Sequence, residues 1–343
     1  MSKKGAVIQL HWIFVIIAGG LILAFFFSVA TKQKSLSDEK MSLSLVQSVD
    51  VIFEMADSGE QTSQVVPMPK KGVSFMCNKA CDCFFQTGSA RKSFGSDIIF
   101  SEKQIDSPEV VVWSVPWKAP FRITNLLLVS DPETRKIIVY EDDSFSGDIE
   151  NKINSLLPDN IIFEKLSLNN LVHDGSEKTR IFVVQYPDSP IALPAGFDSA
   201  FVEMIIISNS GRINFYKKEK NDDELELVNS FSYPNDVVWI LSAMFSSDSD
   251  MFYCGMKSAL KRLNFVSMIF QKRAELLSDK TLEMNMGCDY PVDAISALVS
   301  LTESSETKSY LELSSIIVQV NNIKNTIKRS NDKLIGSSCP ELY

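Results

Sequence analysis

Histidine is nearly absent from this chain: its 343 residues contain two, His11 and His173. Histidine–carboxylate zinc sites, two-histidine iron sites and most serine–histidine catalysis are thereby excluded, save for a site that uses His173 alone. An excess of positive charge is missing as well. Against 34 Lys and Arg stand 43 Asp and Glu, a net charge of −9. That is the opposite of a phosphate-binding footprint, so no nucleic-acid partner is expected. Low-complexity tracts and phosphate-cradling glycine loops are lacking too, and no cofactor is expected. The pair Gly19-Gly20 lies inside an apolar run, where small residues permit close helix packing. With 45% hydrophobic residues the chain has the composition of a folded protein, long enough for one large core or two ordinary ones.

Only one apolar run is long. Residues 6–30, AVIQLHWIFVIIAGGLILAFFFSVA, carry no charge, and a bilayer core takes about 20 such residues in a helix. The next-best run, 237–245, is too short to span. A transmembrane helix over 6–30, preceded by a tail of residues 1–5, is therefore expected, with His11 and Trp12 as interfacial anchors. A cleaved signal peptide is the rival reading. Lys3 and Lys4 would be its charged start, 13–27 its apolar stretch and Ser28-Val29-Ala30 its cleavage site. Orientation by basic residues is nearly a tie, because Lys3 and Lys4 face Lys32, Lys34 and Lys40 across the run. Six cysteines favour the large C-terminal domain outside the cell membrane. All 43 acidic residues follow the run, which makes that domain soluble and poorly attracted to anionic headgroups.

Residues 31–58 predict an amphipathic stalk helix, with Met41, Leu45, Val49, Ile52 and Ala56 at helical spacing and Gly59 as its stop. Residues 58–71 read as a loop by composition. An α+β body, strand-rich and Rossmann-like in its β-β-α-β order, is expected over 59–233. Its strands fall at 97–100, 110–115, 123–129, 136–140, 161–168, 180–186, 201–208, 212–217 and 225–232, dense in Val, Ile, Phe and Tyr. Asn209-Ser210-Gly211 signals a hairpin, and Pro158 ends a helix over 146–157. A helical packing unit follows over 234–343, with helices at 236–245, 250–278, 292–303 and 308–329. The last carries Leu313, Ile316, Ile317, Val320, Ile323 and Ile327 near an a/d seam. The fold class is α+β.

Cysteine chemistry is the strongest local signal. Cys77, Cys81 and Cys83 lie in CNKACDC, while Cys254, Cys288 and Cys339 are scattered. An even total allows up to three disulfides, whose connectivity the sequence leaves open. Reduced structural cysteines and a metal site are the alternatives, though C-x3-C-x-C is not a paired C-x2-C zinc motif. Carboxylates gather at predicted strand ends: Asp131, then Glu141, Asp142 and Asp143. They could hold a cation or act as acid and base, but Asp131-Pro132 is first of all turn chemistry. His173-Asp174 sits in a polar loop with no nucleophile elbow nearby. Trp113 and Trp117 flank Pro116, with Pro120 beyond, and either cover the core or form an aromatic edge for a partner strand.

The segments HWIFVIIAGG, VWSVPWKAPFRITN and SSCPELY together resemble uncharacterised single-pass membrane proteins of archaeal genomes. That resemblance implies an envelope location and no catalytic residues. Lys3-Lys4-Gly5 before Ala6 and an apolar helix also resembles the leader junction of archaeal type IV pilin-like proteins, without the acidic residue common in such helices. The function expected is a membrane-anchored extracytoplasmic binding or assembly module. Its partners are the lipid bilayer and an envelope protein or a second copy of itself. The competing classes are a tethered hydrolase or metal-dependent transferase using Asp131, Asp142 or Asp143, and a pilin-like subunit. Thiol counting under denaturing, non-reducing conditions is expected to find at least two disulfides; six free thiols would reverse the orientation argument.

Overall fold

The computed structural model describes residues 3–59, 61–68, 72–140, 144–167, 170–172, 178–185, 201–218, 225–233, 236–303 and 310–343. One helix, α1 (Lys3–Ser58), takes in both the apolar run and the stalk without a break. No proline interrupts it, and its 56 residues span about 84 Å at 1.5 Å per residue. Its two halves differ. Val15–Gln33 is apolar and unburied, whereas Ser42, Val46, Val49, Phe53 and Ala56 are buried. The buried stripe is rotated from the expected one: Met41 is 51% exposed and Ile52 only half-buried. Phe53 decides the rotation, because its ring enters an aromatic cluster, 5.5 Å from Phe85 and 6.3 Å from Phe75.

The strands follow in chain order as β1 (Ser63–Pro67), β2 (Val73–Cys77), β3 (Cys83–Thr87), β4 (Ala90–Ser93) and β5 (Ile99–Ser101). Then come β6 (Gln104–Ile105), β7 (Glu109–Lys118), β8 (Arg122–Ser130) and β9 (Arg135–Tyr140). After helix α2 (Ser144–Asn154) lie β10 (Glu164–Leu166), β11 (Lys178–Gln185), β12 (Phe201–Ser208), β13 (Arg212–Lys218) and β14 (Glu226–Ser232). The last four elements are helices: α3 (Val237–Phe245), α4 (Ser249–Glu283), α5 (Val292–Glu303) and α6 (Tyr310–Gly336).

Among the described residues there are three sheets, ordered β1-β7-β8-β5, β4-β3-β2-β6 and β10-β9-β11-β12-β13-β14. In the last, β10, β9, β11 and β12 are parallel and β13 and β14 antiparallel. The loop expected over 58–71 contains β1, which pairs with β7 from Ser63 opposite Trp113 to Pro67 opposite Glu109. As an edge strand it tolerates the terminal proline, which is why its composition read as a loop.

The β7–β8 pair is the middle layer. Val110, Val112, Leu127 and Val129 face the cluster of α1 and the small β4-β3-β2-β6 sheet. Val111, Trp113, Val115, Leu126 and Leu128 face the helices and the six-stranded sheet. Between the two lies α3, buried from Val238 through Phe245, as expected of a helix that is apolar on all sides. The α6 seam is filled from within the chain: Leu313, Ile316, Ile317, Val320 and Ile327 are core residues. The C-terminal tail is clasped by Tyr290, whose hydroxyl donates to the Pro340 carbonyl at 2.9 Å, and by Asn331, whose side chain accepts from Leu342 N at 2.8 Å. Helix α4 approaches β5 so closely that a Cβ on Gly255 would lie 2.3 Å from the Phe100 ring. Gly255→Ala is expected to lower stability by about 1–3 kcal/mol through overpacking. Urea unfolding of the detergent-solubilised chain measures it, and an unchanged midpoint would remove this contact as a constraint.

Candidate functional site

All six cysteines are paired: Cys77–Cys83, Cys81–Cys254 and Cys288–Cys339. Cys77 and Cys83 face each other in register across β2 and β3. The loop between them is set by Asn78, whose Oδ1 accepts from the backbone N of Ala80 and Asp82 at 2.9 and 3.0 Å. Cys81 sits at a φ of +64° and pairs outside the loop, with the buried Cys254 of α4. The CNKACDC cluster therefore stitches a small sheet to a helix 173 residues away. Cys288–Cys339 ties the loop after α4 to the tail beyond α6. A native disulfide contributes about 2–4 kcal/mol.

Beside this clasp lies a charged cleft at the leading ends of the parallel strands. Ladder register sets Lys136, Arg180, Glu203, Lys217 and Glu226 in one row across five strands. The Arg180 guanidinium is buried and donates to the carbonyls of Met244, at 3.0 Å, and Ser246. These are carbonyls at the end of α3, so Arg180 caps that helix and meets the negative end of its dipole. Its Nε lies 2.8 Å from Glu203 Oε2, an ionic contact too poorly aligned to count as a hydrogen bond. Burial pushes the Glu203 carboxyl above the usual carboxylate range; Arg180 opposes the shift, while Glu102 and Asp248 add to it.

Glu102 holds the other side. Its carboxylate accepts from Asp131 N at 3.1 Å, Ser130 Oγ at 3.4 Å and the Thr134 hydroxyl, and pairs with Lys136 Nζ at 3.1 Å. Burial pushes the Lys136 ammonium down from its ordinary value, and Glu102 opposes that shift. Such saturation of a carboxylate leaves little capacity for a cation or a substrate proton. The open part of the cleft, about 540 Å³, runs from Lys103, Arg180 and Glu203 past Phe215 to the start of α4. There Asp248 is already engaged as N-cap, accepting from Met251 N at 2.8 Å.

Residues singled out by sequence fare unevenly. Asp131 is buried and makes a turn: its Oδ1 accepts from Glu133 N at 2.9 Å. Glu141, Asp142, Asp143, His173 and Asp174 lie outside the described residues. Trp113 and Trp117 are core residues, packed edge-on against Phe245 at 6.0 Å and Trp239 at 5.1 Å, so neither offers an exposed aromatic edge. Gly19 and Gly20 have open space around them. Sequence reading missed Glu102, Lys136, Arg180 and Glu203. Charged residues leading the apolar strands KIIV and RIFVV were the available signal.

No family model, curated protein or solved structure matches this chain. It is a mixed α+β protein with several sheets, three disulfides and one N-terminal apolar helix long enough for a membrane anchor or a signal.

The raised Glu203 carboxyl gives a pH prediction. A group with a higher pKa folded than unfolded stabilises the fold below its unfolded value and loses that contribution as pH rises through the folded one. Stability should therefore decline as pH rises from the ordinary value of 4.5, and Glu203→Gln should flatten the decline in urea midpoints. An identical slope in both chains would show that Glu203 ionises as it does unfolded.

Proposed function

We propose that this chain is a single-pass membrane-anchored module whose body lies outside the cell membrane and assembles with envelope proteins or with copies of itself. The carrying observation is the continuity of α1: an unburied apolar half passes without a break into a half that is core. A signal peptide is discarded before folding and has no need of such continuity. An anchor gains from it, because the body is then held rigidly to the bilayer rather than through a flexible linker. Three disulfides support the exterior location, since such bonds persist in oxidising compartments. Exposed Met41, Leu43 and Val51 on the stalk and Phe265, Ile269 and Leu276 on α4 supply apolar surface for neighbours. The four parallel strands of the six-stranded sheet serve as a Rossmann-like layer within this body.

A pilin-like subunit is the second reading, favoured by the same helix. Cleavage after Gly5 would leave the whole apolar segment on the mature chain, with the side chains of Val15–Gln33 unburied for neighbouring copies. A tethered enzyme is disfavoured by the saturation of Glu102 and the pairing of Glu203 with Arg180.

Membrane fractionation with N-terminal sequencing tests the anchor. A membrane-retained chain starting at its encoded N-terminus or at Ala6 is expected; a soluble chain starting at Thr31 would overturn the proposal. Leu23→Arg, which places a charge in the middle of the unburied segment, should impair retention at a cost of about 2.5–3.5 kcal/mol. Crosslinking in native membranes reports the neighbour, and a start at Ala6 with a captured second copy would select the pilin-like reading.

A further inference from the structure

The sulfur atoms of Cys77, Cys83 and Cys254 all lie within 4.8 Å of one another, and the Cys81 sulfur is bonded to that of Cys254. Three sulfurs thus form one cluster, two from a seven-residue hairpin segment and one from α4, and the Cys81 sulfur, outside that group, is tied to it by its bond to Cys254. In a tetrahedral zinc tetrathiolate, Zn–S bonds of about 2.3 Å put the sulfurs about 3.8 Å apart. Once both S–S bonds are reduced, side-chain rotation has to open the bonded pairs and bring the Cys81 sulfur in to that spacing. The scaffold is ordered independently of the sulfurs: Asn78 fixes the loop through the Ala80 and Asp82 amides, β2 and β3 fix Cys77 opposite Cys83, and the Asp248 cap fixes the start of α4. Cys254 is buried, whereas the other three are half-buried, so an ion would enter from the hairpin side. The local C-x3-C-x-C spacing alone is a poor zinc motif; the fold completes it with a fourth thiolate from far along the chain.

We propose that, when reduced, Cys77, Cys81, Cys83 and Cys254 bind one Zn²⁺ as a tetrathiolate, so that the clasp between the small sheet and α4 has a disulfide form and a metal form. The chemistry balances with an external dithiol or phosphine as reductant. It supplies two electrons to each of the Cys77–Cys83 and Cys81–Cys254 bonds, each of which takes up two protons, and it leaves oxidised. Zinc then displaces one proton from each of the four thiols and undergoes no redox change itself. Both forms keep α4 fastened to the hairpin. Cys288 and Cys339 take no part, because their bond lies outside the cluster. The inference is independent of where the body resides: an oxidising exterior holds the disulfide form, and a chain kept reduced holds the metal form.

The test uses the full chain in detergent, reduced with a phosphine, incubated with Zn²⁺ and freed of excess by gel filtration before metal analysis. One zinc per chain is expected for the wild type and for the Cys288→Ser/Cys339→Ser double variant, and none for Cys254→Ser. Co²⁺ in place of zinc should give the ligand-field and sulfur charge-transfer bands of a four-sulfur tetrahedral site. That spectrum is read on the wild type, so it decides the matter even if Cys254→Ser fails to fold. A reduced wild type that retains its circular dichroism but no metal would overturn the proposal. So would zinc retained undiminished by Cys254→Ser, or a cobalt spectrum with fewer than four sulfur ligands.

Discussion

Helix α3 is apolar on every side and lies between two sheets, and much of the remaining architecture is a consequence of burying it. A helix so placed removes its side chains from water at about 25 cal/mol per Å² of apolar surface, but its terminal carbonyls go with them. Those groups must find donors inside the protein, since an unpaired buried carbonyl costs about 1–3 kcal/mol. Arg180 supplies the donors, bonding the Met244 and Ser246 carbonyls from the adjacent strand β11. A buried guanidinium then needs a counter-charge, and Glu203 stands beside it on β12. The cleft's conspicuous charges thus belong to the termination of one core helix. At the other end of the helix, Asp236 accepts from Val238 N and lies near Lys324 of α6, so both ends are satisfied by neighbouring elements.

The same logic of connection governs how the body meets the long helix. The buried half of α1 packs on the β7–β8 layer and the small sheet, and Asp50 pairs with Lys92 of β4. Through Cys81–Cys254 the small sheet is joined covalently to α4, which in turn carries α5 and α6. A displacement of α1 relative to the body is therefore resisted twice, by the Phe53 aromatic cluster and, through the small sheet on which α1 packs, by a disulfide between residues 173 apart. Cys288–Cys339 performs the corresponding service at the far end, where the stacked pair Phe121–Phe270, 4.0 Å apart, and the Tyr343 ring close the helical unit over the β7–β8 turn.

What could be read from the sequence was whatever depends on short-range periodicity. The apolar run of α1, the strand-rich middle and the helices after Asp236 all announce themselves by spacing and composition. The stalk face was misplaced by one residue because Met41 and Ile52 are as apolar as Val46 and Phe53; only the position of Phe75 and Phe85 decides between them. Strand β1 was hidden by its proline and polar neighbours, since edge strands need little of the usual signal. The candidate site was less legible. Lys136, Arg180 and Glu203 form a row only once β9, β11 and β12 are set in register, and pairings of that range leave no mark on a single sequence. The cysteines were visible as a group, but the partner of Cys81 was not, because it comes from a helix that has to be packed first.

These features bear on what kind of work the protein does. A catalytic carboxylate has to be available: able to exchange a proton with a substrate, or to offer an oxygen to a metal. Glu102 has its oxygens bonded to Asp131 N, Thr134 and Lys136, and Asp131 is committed to its turn. Asp248 is committed to the start of α4. Among the described residues, then, the buried charges are spent on ending helices and turns within a layered core. The surfaces left uncommitted are apolar and helical, on the unburied half of α1, on the outer side of its stalk and along α4. Surfaces of that kind are satisfied by bilayer or by protein rather than by a small polar substrate, and the proposal of an anchored assembly module rests on that physical difference.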